Sequence, residues 1–200
     1  VRSGRAQHIT ILHTADIHAQ LDVHDEFFWE QGKPVFKRRG GFATLRTMIN
    51  ALRRQNAGNT LLVDGGDCFQ GGAVASLSKG QAIVPLVNAI AYDLVIPGNW
   101  EVVYGKDMMI KDLNGYSAAK VCANMFHADG AATTSIFPPY QTFTIGGVKV
   151  GFIGYNDPFT PTRQSPAYSI GIRFGHPRDN LAEHVTTLRE REGCALVFLL

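Results

Sequence analysis

Three short apolar runs, each cut off by polar residues and glycines, constrain this chain most. "HITILHT" (8–14), "NTLLVD" (59–64) and "YDLVI" (92–96) read as buried strands. They end in "TADIHAQ" (14–20), "VDGGDCFQGG" (63–72) and "PGNWE" (97–101). Between them the apolar spacing turns helical. Phe42, Leu45, Met48, Ile49 and Leu52 mark one helix, with Arg53 and Arg54 suited to its C-terminal end. Ile83, Leu86, Val87 and Ile90 mark another. Strands alternating with helices predict an α/β fold, and open α/β sheets bind ligands at the carboxyl ends of their strands.

A long polar and aromatic loop is expected from the first strand through about residue 39. Further on, "AKVCANM" (119–125), "YQTFTI" (140–145) and "VKVGFIGY" (148–155) read as strands, with "IGGV" as the hairpin turn between the last two. "NDPFTPTRQSPAYS" reads as loop, and a helix is expected from near Pro177 through Leu181, Val185 and Leu188. "ALVFLL" closes the chain as a buried strand. The expectation is α/β with a mixed sheet, or two sheets layered between helices, in one domain over residues 1–200. That domain is expected to be incomplete, the N-terminal part of something longer, because the sequence stops inside a strand.

Composition narrows the function classes. A formal charge of +2 and 18% charged residues describe an ordinary globular protein. "FKRRGG" (36–41), the densest basic run, reads as a solvated loop, so no nucleic-acid partner is expected. No apolar run approaches the roughly 20 residues of a membrane span. Cys68, Cys122 and Cys194 encode neither a disulfide framework nor a cysteine zinc site. The first ten residues lack a signal peptide's apolar stretch, but they fit what is left after one is removed.

The three strand ends should gather Asp16, His18, Asp64, Asp67, Asn99 and Glu101. Such a mixed oxygen and nitrogen set suits Mn, Fe, Zn or Mg better than a soft metal. In an extended D-x-H stretch, Asp16 and His18 point the same way because strand periodicity is two. The glycines before Asp67 allow a tight turn that presents a carboxylate able to bridge two ions. Asn99 offers a neutral carbonyl oxygen. Each residue alone has a plainer reading, as a turn residue or helix cap; the ordered set carries the expectation.

"ILHTADIHAQL", "LLVDGGDCFQG" and "PGNWE" resemble the first three metal motifs of the calcineurin-like metallophosphoesterases, most closely the 5′-nucleotidase branch with its D-x-H, G-D-x-x-Q-G and G-N-H-E. "GGVKVGFIGYNDPFTP" looks like that branch's later strand pair. The resemblance implies two β-sheets flanked by helices, an αββα layering. It implies that Asp16 and His18 bind a first divalent ion, that Asp67 bridges both ions, and that Asn99 binds the second. It implies a phosphoester hydrolase in which two ions activate a water, a small anionic substrate such as a nucleotide, and a periplasmic or extracellular location. Metal identity and oligomeric state stay open.

Two departures qualify this. Where the nucleotidases carry a histidine that serves the leaving group, assisted by an aspartate three residues on, this chain has Trp100 and Val103. No catalytic side chain is therefore assigned. The thiosulfohydrolases of bacterial sulfur oxidation also resemble "DIHAQL", "NWEVVYG" and "FTP…SIGIRF". Their dimanganese site releases a thiolate, which needs no proton, so a sulfur-ester hydrolase is the alternative; a non-catalytic binding member of the fold is a third reading. The second departure is that the family's later S-H-x-G and G-H-x-H histidines are not in these 200 residues. His176, in "FGHPRD", reads as a helix start and His184 as a packing or surface residue. His8, His13, His24 and His127 match no motif, although His24 falls near the proposed site. Cys68 reads as a packed thiol.

Overall fold

The computed structural model of the chain describes residues 8–128 and 134–200. The stretch read as the remnant of a leader thus lies largely outside the described residues. In chain order the elements are β1 (Thr10–Thr14), β2 (His24–Glu30), β3 (Lys33–Arg39), α1 (Phe42–Gln55), β4 (Thr60–Asp64), α2 (Ala73–Ser78) and α3 (Val84–Ile90). There follow β5 (Leu94–Val95), α4 (Lys106–Asn114), β6 (Ala119–Lys120), β7 (Met125–His127), β8 (Tyr140–Ile145) and β9 (Val148–Ile153). The last are α5 (Thr160–Arg163), β10 (Ile172–Phe174), α6 (Leu181–Thr186) and β11 (Leu196–Leu199).

The three apolar runs that open the sequence become neighbours in one parallel sheet, ordered β1-β4-β5-β6. A second, mixed sheet is ordered β11-β9-β8, with β9 antiparallel to β8 and parallel to β11. Strand alternation sorts the core into layers. Leu62 and Val95 face α1, α3 and α4 through Phe42, Ile49, Val87, Ile90, Met109 and Leu113. Their neighbours Leu61, Val63, Leu94 and Ile96 face the other way, onto Val150 and Phe152 of the second sheet. The far side of that sheet packs Ile153 on Leu188 and Cys194. Gly151 makes this last contact possible, since a Cβ there would lie 2.9 Å from both Leu188 methyls. The result is the α/β/β/α layering that the motifs implied.

Several local expectations change. Residues 24–39, read as loop, form the hairpin β2–β3, turning at Gln31-Gly32 with φ of 48° and 74°. Positive φ at both turn positions is the geometry of a tight two-residue hairpin turn. The charges hid its alternation. One face carries Phe27, Trp29 and Phe36, all more than half exposed, and the other is tied by the Lys37–Glu30 pair. "AKVCANM" is not one strand. Residues 119–120 extend the first sheet, while Met125 starts a separate pairing with β10. Between them Cys122 N–H donates to Pro138 O and Ala123 N–H to Gly154 O, so the chain crosses to the second sheet. The Pro-rich loop contains α5 and a 3-10 turn at Pro166–Ser169. The last helix starts as a 3-10 turn at Pro177, is α-helical from Leu181, and ends in a π turn over Thr187–Arg191.

Phe152 is fully buried between the sheets, stacked on Phe198 at 5.0 Å and edge-on to Phe143 at 5.9 Å. Phe152→Ala should cost about 3–5 kcal/mol, as large-to-small core changes do. A urea titration reads this as a lower midpoint at unchanged slope; a loss below about 1 kcal/mol would contradict the sheet-on-sheet core.

Candidate metal centre

The first sheet delivers its loops to one end. After β1 the backbone leaves the strand, and Asp16, His18 and Ala19 all adopt left-handed conformations, with φ of 56°, 47° and 51°. Strand periodicity therefore does not align Asp16 with His18, as the sequence suggested. They are aligned by docking onto the next loop, with Asp16 N–H donating to Gly66 O and His18 N–H to Asp67 O, both at 2.9 Å. Asp67 is itself left-handed, at φ 61°. Ligand atoms of Asp16, His18 and Asp67 lie within 4.8 Å of one another, the one such His/Cys/Asp/Glu grouping among the described residues.

The His18 tautomer follows from its neighbours. Nδ1 faces two acceptors, Gln70 Oε1 at 3.0 Å and Gln70 O at 3.2 Å. An N–H at Nδ1 suits both, and the ring then turns Nε2 toward Asp16, at 3.8 Å. A ligating histidine needs that arrangement, its other nitrogen donating to an outer partner. Gly71 permits it, because a Cβ there would meet His18 O at 2.2 Å. Asp67 is buried, and burial pushes its carboxyl upward. Trp100 N–H, donating to Asp67 Oδ1 at 2.7 Å, and His18 act against the shift, while Asp16 adds to it. Three acidic and basic groups crowded this way, one of them desolvated, favour a bound cation.

Asp64 and Glu101, expected at the same place, are not part of it. Asp64 is buried at the strand end, accepting from Thr14 Oγ1 and from Gly66 N–H at 2.8 Å. Glu101 is 1% exposed and accepts from the backbone N–H groups of Gly98 at 2.6 Å, Asp67 at 2.8 Å, Cys68 at 2.6 Å and Phe69 at 3.4 Å. Both are consumed in holding loops. Burial, and then the nearby Asp67, push the Glu101 carboxyl up to about 7 against these donors.

Asn99 lies half-buried in the loop whose next residue, Trp100, grips Asp67. This loop is braced from the second sheet by a residue the sequence reading missed. Asn156 Nδ2 donates to Pro97 O at 2.8 Å and Gly98 O at 2.7 Å, and its backbone N–H donates to the fully buried Asn124. A polar "GYND" directly after an apolar strand was the available signal. Trp100 offers no metal-binding lone pair and no proton near neutral pH.

His176, His184 and Cys68 take structural places. His176 caps the 3-10 turn that starts the last helix, accepting from Arg178 N–H at 3.3 Å. His184 packs edge-on against Tyr140 at 5.9 Å. Cys68 is buried, and its thiol is pushed well above its usual range by burial and by Asp64. His24 lies elsewhere, on the hairpin, in the wall of an open cleft of about 410 Å³ that also reaches Asp16.

The family profile of the calcineurin-like phosphoesterases matches residues 9–184. A curated 5′-nucleotidase of Bos taurus is 31% identical over 173 residues, covering 84% of this chain and 29% of that protein. The chain thus spans less than a third of that relative's length. A solved 5′-nucleotidase precursor of Thermus thermophilus superposes with a TM-score of 0.79 at 26% identity, over 96% of this chain and 36% of that one. The sulfate thiohydrolase SoxB of Thermus thermophilus, solved with glycerol, shares the fold at a TM-score of 0.84 and 19% identity, over 100% of this chain and 44% of its own.

Two outcomes test the geometry. Gln70→Ala should weaken metal binding about 10–100-fold, as loss of an outer partner does, read by isothermal titration with Mn²⁺; unchanged affinity would remove Gln70 from the site. Glu101 has a folded pKa above its unfolded 4.5, so the folded state prefers its protonated form. The stability it contributes is full below 4.5 and is lost as pH rises through about 7. In metal-free protein, thermal scans from pH 4.5 to 8 should show this falling component, and Glu101→Gln should lose it while being less stable throughout.

Proposed function

The chain belongs to the calcineurin-like phosphoesterases, and from that premise we propose that it forms the metal-holding unit of a hydrolase that cleaves small phosphate esters, nucleoside monophosphates among them, with water. The observation that carries this reading is the convergence of Asp16, His18 and Asp67 within 4.8 Å, with His18 turned by Gln70 to present Nε2. In the proposal Asp16 and His18 hold one divalent ion, Asp67 spans two, and the Asn99 amide oxygen completes the second. The donors are oxygen and imidazole nitrogen, suited to Mn, Zn, Fe or Mg. When bound, such a pair supplies an acidified water as nucleophile and stabilises charge on the attacking and leaving oxygens.

The chain's own residues do the positioning. Trp100 N–H fixes one Asp67 oxygen, leaving the other for a cation. Glu101 and Asn156 hold the loop that carries Asn99. Cys68 does not replace water as nucleophile, since its thiol is buried and hard to ionise. The whole of residues 1–200 is read as one such unit, working in the periplasm or outside the cell, a location that rests on the family resemblance. No described helix is long and apolar enough to cross a membrane.

Trp100 favours a second reading. A tryptophan where the nucleotidase branch keeps its acid suits a leaving group that needs no proton, such as the thiolate of a sulfur ester. Full-length protein loaded with Mn²⁺ should hydrolyse nucleoside monophosphates, lose that activity in EDTA, and lose more than about 10²-fold in kcat/KM on Asp67→Asn, since even outer partners of a metal are worth up to that much. Sulfate release from a thiosulfonate-type ester without phosphate release from nucleotides would replace the first reading with the second.

A further inference from the structure

The hairpin β2–β3 and the start of α1 enclose the cleft beside Asp16. Its size falls within the ~300–1,000 Å³ of small-molecule sites, and its wall joins apolar Ile17, Leu45 and Met48 to the polar pair His24 and Glu26. His24 is held from three directions. Nδ1 faces Asp22 O at 3.1 Å, Nε2 faces Glu26 Oε2 at 2.9 Å, and the ring lies so close to Gly40 that a Cβ there would be 2.7 Å from Cε1. Gly40 has φ of 81° and Gly41 of 86°, and a Cβ on Gly41 would meet Val23 N at 3.0 Å. Two glycines thus fold the end of β3 over the histidine. No motif required a histidine and a carboxylate two residues apart here, on one face of a strand and turned into the cleft that reaches the proposed ion site.

We propose that this cleft is the leaving-group subsite of the metal centre and that His24 is the residue in it that gives the leaving oxygen its proton. The inference rests on the hydrolase reading above and supplies what the Trp100 loop lacks. Nδ1–H stays on the Asp22 carbonyl, and the Nε2 proton, shared with Glu26 when no ligand is present, is the one transferred. As water adds to phosphorus, the electrons of the P–O bond pass to the leaving oxygen, which takes the Nε2 proton. The proton released by the attacking water returns the ring to its charged form through solvent. The Asp22 carbonyl first, and then Glu26, hold the His24 pKa above its ordinary value, so the second proton is retained nearer neutral pH. Asp25 adds to this, Arg39 lies across the strand pair, and Asp16 shares the cleft.

The test compares leaving groups in the full-length, Mn²⁺-loaded protein. His24→Gln should lower kcat/KM for an alkyl or nucleoside monophosphate by about 10²–10⁴-fold, the range for general acid catalysis, with a far smaller loss on p-nitrophenyl phosphate. The basic limb of the pH profile for the alkyl ester should disappear, and Glu26→Gln should move that limb to lower pH. Equal losses on both esters, or none, overturn the role of His24 while leaving the hydrolase reading intact. A readout independent of turnover is the His24 ring ¹⁵N signal on titration with benzylphosphonate. It should shift on binding, and binding should weaken when Met48→Glu fills the cleft with charge. An unmoved signal overturns the subsite, even in a wild type that hydrolyses no oxyester, where the hydrolase reading itself would also have failed.

Discussion

A single carboxylate joins the loops on which the site is built. Glu101 is withdrawn from solvent, yet each of its oxygens accepts from two backbone N–H groups, of Gly98 and Asp67 on one and of Cys68 and Phe69 on the other. A buried carboxylate is tolerated only when its lone pairs are satisfied, and buried N–H groups in tight turns need acceptors that turn backbone cannot supply. Each need answers the other. Because the four donors come from two different strand ends, satisfying them locks the β4 loop against the β5 loop. Gly66 and Gly98 take up the close approach, a Cβ on Gly66 falling 2.1 Å from Gly98 N.

That lock makes the rest of the site possible. The β1 loop docks onto the same turn through Gly66 O and Asp67 O, which forces Asp16 and His18 into left-handed backbone. Non-glycine residues there cost of order 1 kcal/mol or more each, so the surrounding fold has to over-determine them. It does so from the other sheet as well, where Asn156 reaches across to Pro97 and Gly98, and Asn124 holds Asn156. Site geometry therefore depends on the packing of the two sheets, through Phe152 and its neighbours, as well as on local loop sequence.

These dependencies explain how much the sequence disclosed. The parallel strands announced themselves because Leu61-Leu62-Val63 and Leu94-Val95-Ile96 are buried on both faces and leave no ambiguity of period. Asp16, His18 and Asp67 were legible because their motifs sit directly after such strands. The hairpin at 24–39 was not, since its aromatic face is exposed and its turn uses Gln-Gly in place of a stronger signal. Asp64 and Glu101 were placed at the site because a carboxylate at a strand end looks alike whether it binds a cation or caps amides. Only the direction of its neighbours' N–H groups separates the two roles. Asn124 left no mark, and Asn156 only the polar "GYND" after its strand, for a related reason: their partners lie 32 and 58 residues away and are main-chain atoms.

Trp100 has a consequence apart from chemistry. The chain has only two indoles. Trp29 stands 66% exposed on the hairpin, whereas Trp100 is half-buried with its amide on Asp67. One fluorophore therefore emits from water, and the other sits one peptide away from the carboxylate proposed to span both ions. With Trp29 replaced by phenylalanine, the protein carries a built-in optical gauge of the state of Asp67. A loop side chain that offers no proton near neutral pH is thereby the one that emits light.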